Sequence, residues 1–232
     1  MKELTNKILD LLEEESVATR YVVEDFILAN KTKSGKLILE ILDDKYNLAK
    51  TKLAILNSQA LPYIPDENYL SALNKILNHK NSTERLQFFI IQKIGWRGEE
   101  AEHLIPTLEK YLVKNGSLAG IASIALSEIN WSNTDKLIPN LVKALNDEPD
   151  HSIRMAAARQ LLKYDSVSSD VFSELVKVMK NDSDFRVRQK IAHYLGELEK
   201  KEAIPYLEEI ITNDKHTLVR SVASSVLSDL QK

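Results

Sequence analysis

Leu104-Ile105-Pro106-Thr107-Leu108 recurs along this chain as Leu137-Ile138-Pro139-Asn140-Leu141 and as Ala203-Ile204-Pro205-Tyr206-Leu207. In each string a proline interrupts apolar residues that have helical spacing. The first two prolines are 33 residues apart and the last two are 66 residues apart. A fixed period of this length is typical of a repeat array, in which each unit is a short supersecondary element stacked on the next.

The composition and the apolar spacing both predict helices. Gly and Pro number only six each among 232 residues, and the abundant residues are good helix formers. Near the end of the chain, 202–214 and 218–230 each carry apolar residues at the 3, 4, 7 spacing of one helix face, separated by a short turn. We therefore expect an all-α chain of about seven antiparallel helix pairs, over units of roughly 1–31, 32–65, 66–98, 99–133, 134–167, 168–200 and 201–232.

A single pair of short helices cannot hide its apolar stripe, because too little of its surface leaves water. Stacking on a neighbouring pair supplies the missing contact area. Alanines in the second helices, such as Ala122, Ala157 and Ala192, suit close approach of adjacent helices. The sequence predicts one domain, 1–232, folded as an α-α superhelix (solenoid).

The turns between paired helices carry a second regularity. In three of them an acidic residue precedes an arginine by six positions, namely Glu148 and Arg154, Asp182 and Arg188, and Asp214 and Arg220. A proline in the first helix, an acid in the turn and a Val-Arg or Ile-Arg start of the second helix resemble a HEAT repeat. The resemblance covers 134–232 most fully, extends over 101–133 and fades over 1–100. It implies that these acids and arginines form a structural ladder between neighbouring repeats.

Charge and cysteine content exclude several classes of function. The net charge is −3, and 31 basic residues are interspersed with 34 acidic ones, so duplex nucleic acid is not an expected partner. Cysteine is absent, which excludes disulfides and thiolate chemistry. Neither a signal peptide nor a membrane-spanning apolar stretch is visible, and we expect a cytoplasmic protein.

No arrangement of residues predicts catalysis. His-Glu-x-x-His, Gly-x-Ser-x-Gly and Asp-rich calcium motifs are all missing, and the five histidines are spread at one per repeat or fewer. The acidic residues cannot be paired from sequence, so no acid–base couple is assigned. We predict that the protein is not an enzyme and uses no metal or cofactor.

The resemblance also implies a binding surface, because the second helices of such arrays line a concave face. Helical geometry places seven residues outward on this face, which we predict as a patch that receives a protein or peptide segment: Phe89, Trp96, Ile121, Ile124, Met155, Arg159 and His193. If the register of the third and fourth units is shifted, the apolar members of this set fill the core instead.

From these expectations we predict that the protein is a non-catalytic scaffold or adaptor that binds another protein. Two alternatives remain open by resemblance to other proteins with HEAT-like folds: an enzyme related to alkylpurine DNA glycosylases or tetrapyrrole lyases, and an immunity protein that neutralises a toxin. The sequence leaves the partner and the oligomeric state open.

Overall fold

The computed structural model describes residues 66–79, 82–114, 116–164 and 169–232, with only the backbone of 66–68. The predicted units at 1–31 and 32–65 therefore lie outside the described residues. The chain divides into two compact units, Met1–Lys110 and Tyr111–Lys232.

The described part of the first unit contains one helix pair. It consists of α1 (Asp66–Leu77) and α2 (Glu84–Gly95), followed by a 3₁₀ helix (Gly98–Leu104) that contacts both. Thr83 caps α2, because its side chain accepts a hydrogen bond from the N–H of Leu86. The next helix, α3 (Ile105–Leu112), crosses the boundary between the units.

The second unit contains the remaining helices. In chain order they are α4 (Ser117–Glu128), α5 (Thr134–Asp147), α6 (His151–Leu161), α7 (Ser169–Asn181), α8 (Phe185–Glu197), a 3₁₀ turn (Lys201–Ala203), α9 (Ile204–Asn213) and α10 (Thr217–Leu230). No strand occurs in the described ranges. The prediction of an all-α fold is confirmed, whereas the count of seven units stays a prediction.

Helix pairs in the second unit pack in the order in which they follow in the chain. The paired helices are α5 with α6, α7 with α8, and α9 with α10. Each second helix also contacts the second helix of the next pair, so that α4, α6, α8 and α10 lie side by side. The first helices α5 and α7 make the equivalent contact. This is the packing of an α-solenoid within the unit.

Local chemistry explains where these helices begin. The carboxylates of Asp150 and Asp184 accept hydrogen bonds from backbone N–H groups two residues later and cap α6 and α8. The ring of His216 does the same for α10. Pro205 is the second residue of α9, where its missing N–H costs no hydrogen bond. Pro139 is different, because it lies inside α5, whose cap is Asn133.

The core between α8 and α10 depends on a close approach. Val187, Ile191 and Leu195 of α8 are completely buried, as are Val219 and Ala223 of α10. At the end of α8, a glycine makes room for a side chain of α10: a Cβ built on Gly196 would lie 2.7 Å and 2.9 Å from the two γ-carbons of Val226. Both methyl groups are in the way, so rotation of the valine does not relieve the overlap.

We expect Gly196→Ala to lower the free energy of unfolding by about 1 kcal/mol, although alanine favours helix formation. The overlap with Val226 costs about 2 kcal/mol and exceeds the gain in helix propensity of about 1 kcal/mol. Urea denaturation followed by circular dichroism measures the change. In the matched variant Gly196→Ala/Val226→Ala both γ-carbon contacts are removed and only a 3.3 Å contact with the Cβ of residue 226 remains, so adding Gly196→Ala to Val226→Ala should destabilise much less than adding it to wild type. A destabilisation of equal size in both backgrounds would contradict this explanation.

Candidate binding groove

The acid and arginine residues of the turns connect neighbouring helix pairs. Arg154 of α6 forms two hydrogen bonds with the carboxylate of Asp182, from Nε at 2.7 Å and from Nη2 at 2.8 Å. One pair later, Arg188 of α8 binds Asp214 in the same way, at 2.7 Å and 3.0 Å. Both arginines therefore bind the next turn through a bidentate contact, the strongest geometry available to this ion pair.

Each of these arginines also holds its own turn. Nη1 of Arg188 donates to the main-chain carbonyl of Asp182 at 2.7 Å, six residues earlier. Nη1 of Arg154 donates in the same manner to the carbonyl of Glu148 at 2.8 Å. This hydrogen bond to the carbonyl fixes the plane of the guanidinium, so that the edge formed by Nε and Nη2 points at the following turn. Arg188 and Asp214 are nearly inaccessible, with side-chain exposures of 3% and 4%.

Glu148 has a different partner from the two aspartates. Its carboxylate accepts a hydrogen bond from Oγ of Ser117 at 2.8 Å. Gly120, the fourth residue of α4, occupies the position where α6, α8 and α10 have arginine, so no guanidinium is available to Glu148. The side chain crosses directly over Gly120, where a Cβ would lie 2.7 Å from Oε1 of the carboxylate. Sequence reasoning did not identify Ser117 and Gly120 as the residues that contact Glu148. The signal that could have found them is the absence of an arginine at the start of α4, which indicates that Glu148 needs another partner.

Arg220 stands at the end of the series. Its Nη1 donates to the carbonyl of Asp214 at 2.7 Å, as in the two preceding units. Within the described ranges no carboxylate binds its Nε and Nη2 edge. The arginine is only partly buried, on the side of α10 that faces away from α8.

The predicted patch is wrong for two of its members. Ile121 and Ile124 are both only 3% exposed, so they cannot take part in a binding surface. The reason is that α4 is buried on all sides: every residue from Leu118 to Ser127 is buried, and the helix carries no charge before Glu128. A helix with apolar or small side chains around its whole circumference has no polar face to present to solvent.

Two other members of the predicted patch belong to the first unit. Phe89 is half-buried and packs edge-on against Phe88, with 5.6 Å between ring centroids. Trp96 is 60% exposed, and Nζ of Lys93 lies 4.1 Å from the centroid of its ring. This is the geometry of a cation–π contact.

Met155 and His193, which belong to the second unit, line one groove. The groove has a volume of about 440 Å³ and crosses α6, α8 and α10. Its six lining residues are Met155, Arg186, Gln189, Lys190, His193 and Val222. None of them carries a carboxylate. The groove thus combines two apolar side chains with a row of groups that can donate hydrogen bonds.

Pairing with acids at the rim moderates the positive charge of the groove. Arg186 binds the carboxylate of Asp184 at 2.6 Å, and His193 lies 3.6 Å from Glu197. Lys190 has no carboxylate partner in the described part of the chain and lies over the ring of Tyr194, 5.2 Å from its centroid. Lys190 is consequently the lining cation most available to an acidic ligand.

A second cluster of charge lies beside the groove. Arg159 is exposed on α6, one helical turn beyond Met155. Burial raises the pKa of the Glu128 carboxyl, while the cations of Lys163 and Arg159 act against this rise. Two cations therefore act on one acid in this cluster.

Another cavity, of about 320 Å³, lies at the turns of the pairs α5–α6 and α7–α8. Its charged lining residues include Arg154 and Asp182, which already satisfy each other. Lys177, also in the lining, is paired with Glu174 at 3.1 Å. The charged groups of this cavity are thus already paired with one another or with a neighbouring side chain, whereas Lys190 of the groove lies over an aromatic ring.

Clusters of three or more histidine or acidic residues that could hold a metal do not occur in the described ranges. None of the helices within those ranges is long and apolar enough to cross a lipid bilayer.

Comparison with known protein families gives a match for part of the chain. Residues 138–228 match the family model of HEAT repeats, a segment that runs from within α5 to within α10 and includes all three groove helices. HEAT repeats generally mediate protein interactions. A search of curated proteins found no match to the chain.

Proposed function

Since residues 138–228 match the family model of HEAT repeats, we propose that this protein is a non-catalytic scaffold that binds a segment of another protein in the groove of α6, α8 and α10. The observation that carries this proposal is the groove itself, where Met155 and Val222 lie beside Gln189 and Lys190. Apolar contact area supplies affinity, and the donors orient the bound segment.

The lining residues define the chemistry of the bound segment. Arginine, lysine and glutamine present N–H donors, so the segment must supply acceptors, either carboxylates or main-chain carbonyls. Met155 is flexible and polarizable, which suits contact with a medium-sized apolar side chain. The expected partner therefore presents an apolar residue flanked by acidic residues, and binding weakens as salt concentration rises.

Affinity capture from a lysate of the source organism, with the full chain as bait, tests this function. We expect a captured protein to be lost, with at least a tenfold lower yield, when the bait carries Lys190→Glu or Met155→Asp. Lys143→Glu makes the same charge change on an exposed position of α5, outside the groove, and should leave capture unchanged. Equal capture by wild type and both groove variants, or no captured protein at all, would contradict the proposal.

A further inference from the structure

We propose that the outward side of α10 is a second docking surface, separate from the groove, for a helical hairpin of a partner protein that carries an acidic residue in its turn. The partner hairpin would pack on α10 as the pair α9–α10 packs on α8. The surface is defined by Arg220, Ser224, Leu227 and Ser228.

The contact between α8 and α10 is the template. On α8 a stripe at helical spacing faces α10, formed by Arg188, Ala192, Leu195 and Gly196. Arg188 binds the turn carboxylate of Asp214, and Gly196 accommodates the side chain of Val226. Ala192 and Leu195, between them, are completely buried.

The same stripe recurs on α10, displaced by 32 residues. Both stripes have an arginine, a small residue, a leucine and a second small residue, in that order. Ser224 and Ser228 are exposed and Leu227 is partly exposed, because no described helix covers this side. The substitution of serine for alanine and glycine keeps the surface compatible with both water and a close helix contact.

Arg220 supplies the charge that selects the partner. Its Nη1 donates to the carbonyl of Asp214 at 2.7 Å, the distance at which Arg188 holds the carbonyl of Asp182. The guanidinium is therefore held as in the two units before it, where the edge formed by Nε and Nη2 binds a carboxylate. A carboxylate in the turn of a partner hairpin meets this edge without any reorganisation of Arg220.

The shape of the surface restricts the rest of the partner. In the template, Val226 follows the turn residue Asp214 by twelve positions and packs on Gly196. Ser228 is larger than glycine, so a partner helix carries a small residue at the position of Val226. Leu227 gives the contact an apolar centre. The partner is thus a pair of short helices with an acidic turn and a small-residue stripe.

Direct binding of a defined peptide tests this surface. The probe is a labelled peptide with the sequence of residues 200–232 and Val226→Ala, which contains an acidic turn and the small residue that Ser228 requires. We expect it to bind the full chain in solution by fluorescence anisotropy. Arg220→Gln in the protein, or Asp214→Asn in the peptide, should each weaken binding at least tenfold, and the two together should weaken it little further, since both remove the same contact.

Two leucine substitutions separate the surface from the rest of the helix. Ser224→Leu places a bulky side chain in the stripe and should abolish binding, whereas Ser225→Leu points 100° away on the helix and should leave it unchanged. Both serines are exposed, so neither variant is expected to unfold the protein. Failure of the peptide to bind, or equal binding to wild type, Arg220→Gln and Ser224→Leu, would overturn the proposal. Self-association of the full chain that Arg220→Gln abolishes would also overturn it, because the occupant would then be a second copy.

Discussion

Arg188→Met should lower the free energy of unfolding by about 3 kcal/mol, because it leaves a buried carboxylate without its counter-ion. The side chains of Arg188 and Asp214 are 3% and 4% exposed, so water cannot replace the lost hydrogen bonds. The carbonyl of Asp182 loses its donor at the same time. Urea denaturation monitored by circular dichroism gives the change directly.

Two comparisons identify the cause of this loss. Arg186 lies two residues away and also pairs with an aspartate, but its side chain is 51% exposed, so Arg186→Met should lower the free energy of unfolding far less than Arg188→Met does. Adding Asp214→Asn to Arg188→Met removes the buried charge and should recover part of the stability. If the two arginine variants are equally stable, the buried pair does not hold the helix pairs together.

The same pair makes the second unit sensitive to acid. Hydrogen bonds from Arg188 hold the pKa of Asp214 below its usual range, against the opposing effect of burial. The resulting stabilisation is complete above the pKa of the unfolded chain, about 3.9, and is lost as pH falls through the lower pKa of the folded protein. In Arg188→Met the carboxylate has lost this partner, so the loss of stability below about pH 4 should be smaller than in wild type.

Sequence reasoning located these residues because their geometry is local. An acid in the turn and an arginine six residues later lie at the same end of a helix pair. This placement does not depend on how the neighbouring helix pairs are arranged. The resemblance then implied contacts between neighbouring units, and Arg154 and Arg188 make such contacts with Asp182 and Asp214. The partner of Glu148 was not predictable in this way, because a serine hydroxyl in α4 leaves no spacing signal.

Sequence reasoning was less successful where the surface had to be separated from the core. Helical spacing placed Met155 and His193 on the exposed side of α6 and α8, where amphipathic patterns mark two distinct faces. Arg186 and Val222 were missed, since membership of the groove depends on how three helices lie against each other. In α4 the spacing carried no information, because apolar and small residues surround the entire helix.

Ile124→Asp should destabilise the protein by more than about 4 kcal/mol, or prevent it from folding, because it places a carboxylate at a site that is 3% exposed. The helix that contains it contacts both α5 and α6, so the helix pair that follows α4 loses its support. Urea denaturation measures the loss, and a low yield of folded protein would agree with it.

Met155→Asp is the matched variant, because it introduces the same carboxylate on a second helix at a partly exposed position. Water still reaches this side chain, so the cost in stability should remain below about 1 kcal/mol while partner binding is lost. The two aspartates therefore separate a core position from a groove position by their effects on folding and binding. A stable Ile124→Asp variant that folds normally and loses only the partner would restore Ile124 to the binding surface and contradict the burial of α4.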